Sequence, residues 1–377
     1  TMDNQAPRTL IEHFSSITDP RIDRCKLHKL IDILVIATCA TICGAETWEE
    51  FELFGESKKD WFEKFLELPN GIPSHDTFRR VIARLDPTEF QKCFLEWVRS
   101  AYEITKGQVV AIDGKLSRGS RDVRAGKSAI NMVSAWASET RLVLGQVKTE
   151  EKSNEITAIP ELLDMLEIAG CIVTIDAIGC QTEIAKKIVE KEADYVLAVK
   201  GNQGNLYEDL VAYFEWALKD KFNETTYTTN ETVDGDHGRI EVRRYYATSD
   251  ISWLRNKAEW EAIESIAMVE SERTVMGEET SIERRYYISS LEADAKLLGK
   301  AIRGHWSVEN SLHWVLDVGF REDASRIGKD HGPENMATMR HIALNLLKQD
   351  KSLKVGVKSK RLKAGWDEGY LLKVLSG

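Results

Sequence analysis

The chain lacks an apolar run long enough to span a bilayer. Its longest, "ILVIATCATICGA" from Ile33 to Ala45, also lacks the flanks of a signal peptide, so it reads as a buried helix in a cytoplasmic protein with no membrane partner. A disulfide framework is excluded next, because the six cysteines, at 25, 39, 43, 93, 171 and 180, are scattered through apolar segments of a large protein. Cys39 and Cys43 are one helical turn apart, but no Cys-x-x-Cys or nearby histidine pair completes a zinc site around them. Positive charge is short too. A formal net charge of −10 argues against a surface that binds nucleic acid all over. What basic excess exists is concentrated near the end, where residues 340–377 carry nine Lys and Arg against three acids. A basic run of this kind is often only a solvated face.

At 377 residues the chain has room for two or three domains. Residues 1–105 show helical periodicity around 30–43, 47–66 and 87–104, broken by "LPNGIPSHD", and make a small helical domain. After that break, "TFRRVIARL" carries Arg79 and Arg80, which could face a phosphate backbone as in the second helix of a helix-turn-helix; an ordinary amphipathic helix is the simpler explanation of the pattern.

From residue 106 the period becomes that of strands. "QVVAID", "INMVSAWAS" and "LVLGQVKT" are followed by a helix "AIPELLDMLEIA", a strand "CIVTIDAI", a helix "TEIAKKIVEKE" and a strand "DYVLAVKG". This is a mixed α/β sheet. Two of its hydrophobic strands run into an aspartate followed closely by glycine, at Asp113 and Asp176. Asp113-Gly114 alone is also a common turn dipeptide. If the two strands are neighbours, both carboxylates emerge at one end of the sheet, where they repel unless one is protonated or a cation lies between them.

Aspartates closing the first and fourth strands in this order resemble the ribonuclease-H-like core of DDE transposases, a resemblance that calls for a third carboxylate on a late helix. In "AKLLGKAIRGHWSVENSLHWVLDVGFRED" the residues Leu298, Ala301, Ile302, Val308, Leu312 and Leu316 share one helical arc, which contains Glu309 and leaves Asp317 on the polar side. Glu309 is therefore expected on a buried face as the third ligand, with Glu322 solvated beyond Gly319. The wording "RGHWSVENSLHW", together with "HGRIEVRRY" and "ADYVLAVKGNQ", resembles the H-repeat-associated insertion-sequence transposases from the N-terminal "DPRIDRCKLHKLIDIL" to about residue 348. Broader relatives carry Tyr and Arg before the glutamate and a basic residue after it. Here Ile302, His305 and Leu316 stand in those places, so those roles are not carried over.

The resemblance implies a catalytic core split into 106–204 and 293–348 by a β-rich insertion at 205–292, with a basic tail at 349–377. It implies Mg²⁺-dependent cleavage and strand transfer of an insertion element, with two ions held by Asp113, Asp176 and Glu309 and Mn²⁺ able to substitute. The partner is double-stranded DNA, bound by a homodimer at the nucleoid. Arg79, Arg80, Lys200, Arg239, Arg243 and His305 are the candidates for DNA contact, although alternating strands with polar outer faces explain the arginines of the insertion about as well. A nuclease without strand transfer, or a decayed transposase that only binds DNA, is the competing reading.

Overall fold

The computed structural model describes residues 8–102, 105–121, 128–149, 154–236, 239–275 and 279–376. Six helices come first: α1 (Arg8–Phe14), α2 (Leu30–Cys43), α3 (Trp48–Ser57), α4 (Lys59–Phe62), α5 (His75–Arg84) and α6 (Pro87–Ala101). Their ends follow local chemistry. Thr47 and Glu50 form a reciprocal capping box that starts α3, and Asp86 with Pro87 starts α6. No tight turn leads into α5, because irregular chain from residue 63 to 74 separates it from α4.

The central part alternates: β1 (Val109–Ser117), β2 (Ile130–Ala137), β3 (Leu142–Lys148), α7 (Glu155–Met165), β4 (Ile172–Ile175), α8 (Thr182–Glu190), β5 (Asp194–Val199) and α9 (Gly204–Lys219). Then come β6 (Thr228–Asp236), β7 (Arg239–Thr248), β8 (Ser265–Val275) and β9 (Ser281–Ser289), followed by α10 (Ala295–Val308), a π turn (Glu309–His313), α11 (Trp314–Gly319), α12 (Gly332–Gln349), α13 (Val357–Trp366) and α14 (Glu368–Ser376).

The strands make one mixed sheet in the order β3-β2-β1-β4-β5-β9-β8-β7-β6. Its first half has the expected ribonuclease-H-like arrangement, with β1, β4 and β5 parallel and β2 and β3 antiparallel. The insertion strands extend this same sheet, because β9 pairs antiparallel with β5 along Val196–Val199. Helix α10 covers one face, where Leu298, Ala301 and Ile302 pack on Val109, Ile172 and Val196. The opposite face belongs to the main core. There α12, buried almost along its whole length, lies between β3 and the N-terminal helices α2, α5 and α6.

The C-terminal basic run is folded as well. Lys360 and Arg361 of α13 are buried, and Lys360 donates to the carbonyls of Leu347 and Asp350. All six cysteines are free thiols. Among the described residues, no single helix is long and apolar enough to cross a membrane, and α2 is buried inside the protein.

Candidate active site

Parallel pairing sets the two aspartates side by side. Val109 to Ile112 of β1 lie opposite Ile172 to Ile175 of β4, so the next position on each strand is Asp113 and Asp176. Strand β4 stops there, whereas β1 continues to Ser117 along β2, which corrects the expectation that the strand ends on its aspartate and excludes the Asp-Gly turn. Past Ile175 the chain turns through Ala177–Gly179, and Asp176 caps that turn by accepting from the N–H groups of Ile178 and Gly179. A Cβ on Gly114 would lie 2.0 Å from the Glu155 carboxylate, so a larger residue there would have to displace that side chain.

The acid helix crosses this sheet edge and is interrupted at the site. Residues 309–313 form a π turn, closed by the Trp314 N–H bonding to the Glu309 carbonyl five residues back. Such single turns often mark functional positions. This one brings two side chains of the same helix to the strand end. Ligand atoms of Asp113, Glu309 and His313 all lie within 4.8 Å of one another, and His313 Nδ1 is 3.6 Å from both the Asp113 and the Glu309 carboxylate. Burial there is uneven, with side-chain exposures of 16% for Asp113 and 7% for His313 against 62% for Glu309.

The expected burial of Glu309 is thus overturned, although its direction is right. The arc that buries Ile302 and Val308 opens at this level onto a cavity of about 400 Å³, lined by Asp113, Asp176, Glu309, Lys200, His305 and Trp306 among others, so the glutamate is solvated inside a cleft. Glu322 behaves in the opposite way to expectation: it is 3% exposed. Burial alone pushes its carboxyl up, but Arg340 and Lys115, at 3.4 and 3.2 Å, hold it below the usual range. Asp317 pairs with Lys115 at 2.7 Å, away from the acid cluster.

Burial, followed by the charges of Glu309 and Asp176, pushes the Asp113 carboxyl up to about 7. Desolvation lowers both His305 and His313. His305 faces the cavity while its Nδ1 lies 3.1 Å from the Thr174 hydroxyl. Lys200, just beyond β5, lines the same cavity and is exposed.

The other arginines expected at DNA lie elsewhere and are already paired. Arg79 and Arg80 share Asp76 on α5. Arg239 pairs with Glu241, and Arg243, buried, with Asp234 and Glu241. Of these, Arg243–Asp234 joins β7 to β6, while the pairs to Glu241 lie along β7 itself. Sequence reasoning passed over His313, whose signal was the Glu-x-x-x-His spacing on one helix.

The residues present fit a divalent cation. Two carboxylate oxygens and one imidazole nitrogen converge beside the cavity, and burial, followed by the neighbouring carboxylates, raises the Asp113 carboxyl. Carboxylates delivered from adjacent parallel strands and one late helix define the class of DDE transposases. Comparison with known proteins agrees. Residues 104–346 match the family model described as "Transposase DDE domain", residues 11–98 match one described as "DDE_Tnp_1-associated", and the chain belongs to the transposase DDE family.

Similar proteins include "Putative transposase YncI" of Escherichia coli O157:H7, 43% identical over 98% of this chain and 95% of that one. "H repeat-associated putative transposase YhhI" of Escherichia coli strain K12 is 42% identical over 98% of each chain. "Inactive transposase YbfQ" of the same strain is 44% identical over 20% of this chain and 92% of its own length. A piggyBac transposase synaptic complex with hairpin DNA is similar at a TM-score of 0.34 and 12% identity, covering 95% of this chain and 81% of that one.

Proposed function

We propose that this transposase cleaves DNA at the ends of its element and joins the freed 3′ ends to target DNA, using Mg²⁺ held by Asp113, Asp176 and Glu309. The observation that carries the reading is the register of β1 and β4, which makes the two aspartates neighbours directly under the Glu309 helix. Bound Mg²⁺ would supply Lewis-acid activation of water and stabilisation of the leaving oxygen. Asp113 would hold the cation together with Glu309, while Asp176, accepting from two backbone N–H groups, would present a fixed oxygen. Lys200 and His305, on the cavity wall, orient the phosphodiester beside the acids. Double-stranded DNA is the partner, bound by a homodimer, and Arg79 and Arg80 on the exposed side of α5 add non-specific phosphate contacts.

Strand cleavage and strand joining, assayed separately on DNA carrying the element's own ends, test this. Asp113→Ala and Asp176→Ala are each expected to abolish both activities while the protein stays folded; unaltered cleavage in either variant rules the site out. A decayed, DNA-binding protein is the second reading, favoured by the inactive name of one short relative. It predicts DNA binding with neither activity in the unmodified chain.

A further inference from the structure

His313 is 6% exposed, and its Nε2 is among the buried polar atoms that have no hydrogen-bond partner among the described residues. Nδ1 points at Asp113 and Glu309, but 3.6 Å from each is too long for a hydrogen bond. Around an ion with bonds of about 2.1 Å, donors at right angles lie about 3.0 Å apart and opposed donors about 4.2 Å apart. The observed 3.6 Å from Nδ1 to each carboxylate is shorter than the opposed-donor distance, so Nδ1 is within reach of an ion shared with either carboxylate.

The other ring nitrogen supports the same geometry. His313 also lines a small pocket of about 10 Å³, on the order of one water, together with Ser117, Ser134, Glu322 and His341 among others. His341 Nδ1 also lacks a partner. A water in that space would accept a hydrogen bond from Nε2–H and leave the Nδ1 lone pair turned toward the carboxylates, the arrangement typical of a histidine held as a metal ligand by its outer neighbours. The buried Glu322, anchored by Lys115 and Arg340, is the fixed end of that support.

We propose that His313 ligates, through Nδ1, the divalent cation held by Asp113 and Glu309, and that this position prefers Mn²⁺ to Mg²⁺. The inference rests on the reading of the acids as a cation site. Imidazole is a poor partner for Mg²⁺ and a better one for transition ions, whereas a position between Asp113 and Asp176 has only oxygen donors. The two ion positions are therefore chemically unequal.

Electron spin echo measurements on the full-length protein with bound Mn²⁺ test this, because an imidazole ligand imprints ¹⁴N modulation on the manganese signal. The expected result is ¹⁴N modulation in the unmodified protein and its loss in His313→Gln, with Mn²⁺ still bound. In calorimetric titrations, His313→Gln is expected to weaken Mn²⁺ on the order of 10-fold or more and Mg²⁺ by much less. Bound Mn²⁺ without ¹⁴N modulation overturns the His313 assignment and leaves the acid site standing. Mn²⁺ binding that Asp113→Asn and Glu309→Gln leave unchanged, or no binding at all, overturns both. Should His313→Gln not fold, His305→Gln removes the other imidazole at the cavity: modulation that persists there, but disappears in Glu309→Gln, supports His313, and modulation lost with His305 overturns it.

Discussion

Asp113 is buried at the strand end with the His313 imidazole beside it, and repulsion from Glu309, Asp176 and Glu155 adds to the cost of burying its charge. Its carboxyl, at about 7, stands above the ordinary 3.8. Between those values the folded protein binds more protons than the unfolded chain, so this group lowers stability as pH rises from about 4 through 7. Asp113→Asn removes that loss. The metal-free variant is expected to be more stable than the parent at pH 8, by on the order of 2 kcal/mol, with the difference vanishing toward pH 4. Thermal unfolding of both proteins across that range checks this, and a pH-independent difference contradicts the charge argument. Divalent cation should give the parent a similar gain above pH 7, since it neutralises the same repulsion.

The acid-bearing helix is fixed at its far end by an element distant in sequence. Arg361 of α13 donates to the carbonyl of Gly319, at the end of α11, and to the carbonyls of Thr41 and Ile42 in the last turn of α2. Its guanidinium also stacks on Phe320, 4.1 Å from the ring centre. One side chain thus satisfies orphan carbonyls of two helices at once. Arg361→Ala is expected to cost about 2–4 kcal/mol, because it leaves those carbonyls buried without donors. Arg361→Lys should recover less than half, since an ammonium cannot fork to three acceptors and stack. Urea unfolding of the three proteins measures both; a lysine variant as stable as the parent would show that charge alone matters.

Across the whole molecule, the helical first hundred residues and the late helix α12 share one core. Ile33, Leu34 and Phe78 belong to the same buried cluster as Met339, Ile342 and Leu346, and Asn335 of α12 donates to the carbonyls of Ile82 and Leu85. A fragment of residues 1–105 exposes the α2, α5 and α6 faces that α12 covers, so it is expected to lack a cooperative thermal transition even where its circular dichroism shows helix. A sharp, cooperative unfolding of that fragment would make the N-terminal part an independent unit, as the sequence pattern suggests on its own.

Local periodicity is enough to write down most of the elements. The strand patterns of 109–116 and 172–175, the four alternating segments of the insertion and the helix around Leu298 are each a matter of which faces a short stretch can bury, and that is decided within a few residues. The repeated strand-then-aspartate wording likewise points to Asp113 and Asp176 as a pair, and the wording around Glu309 to the third acid. What periodicity cannot carry is contact between distant segments. That the insertion continues the main sheet through β9 and β5, that α12 joins the N-terminal helices to the core, and that Lys115 and Arg340 bury Glu322 depend on pairings across tens to hundreds of residues. The exposure of Glu309 is of the same kind: a helix has one apolar face by sequence, and only its neighbours decide where along that face a cleft opens. His313 became a site residue for the same reason, because a π turn and a strand from another part of the chain bring its ring to the two carboxylates.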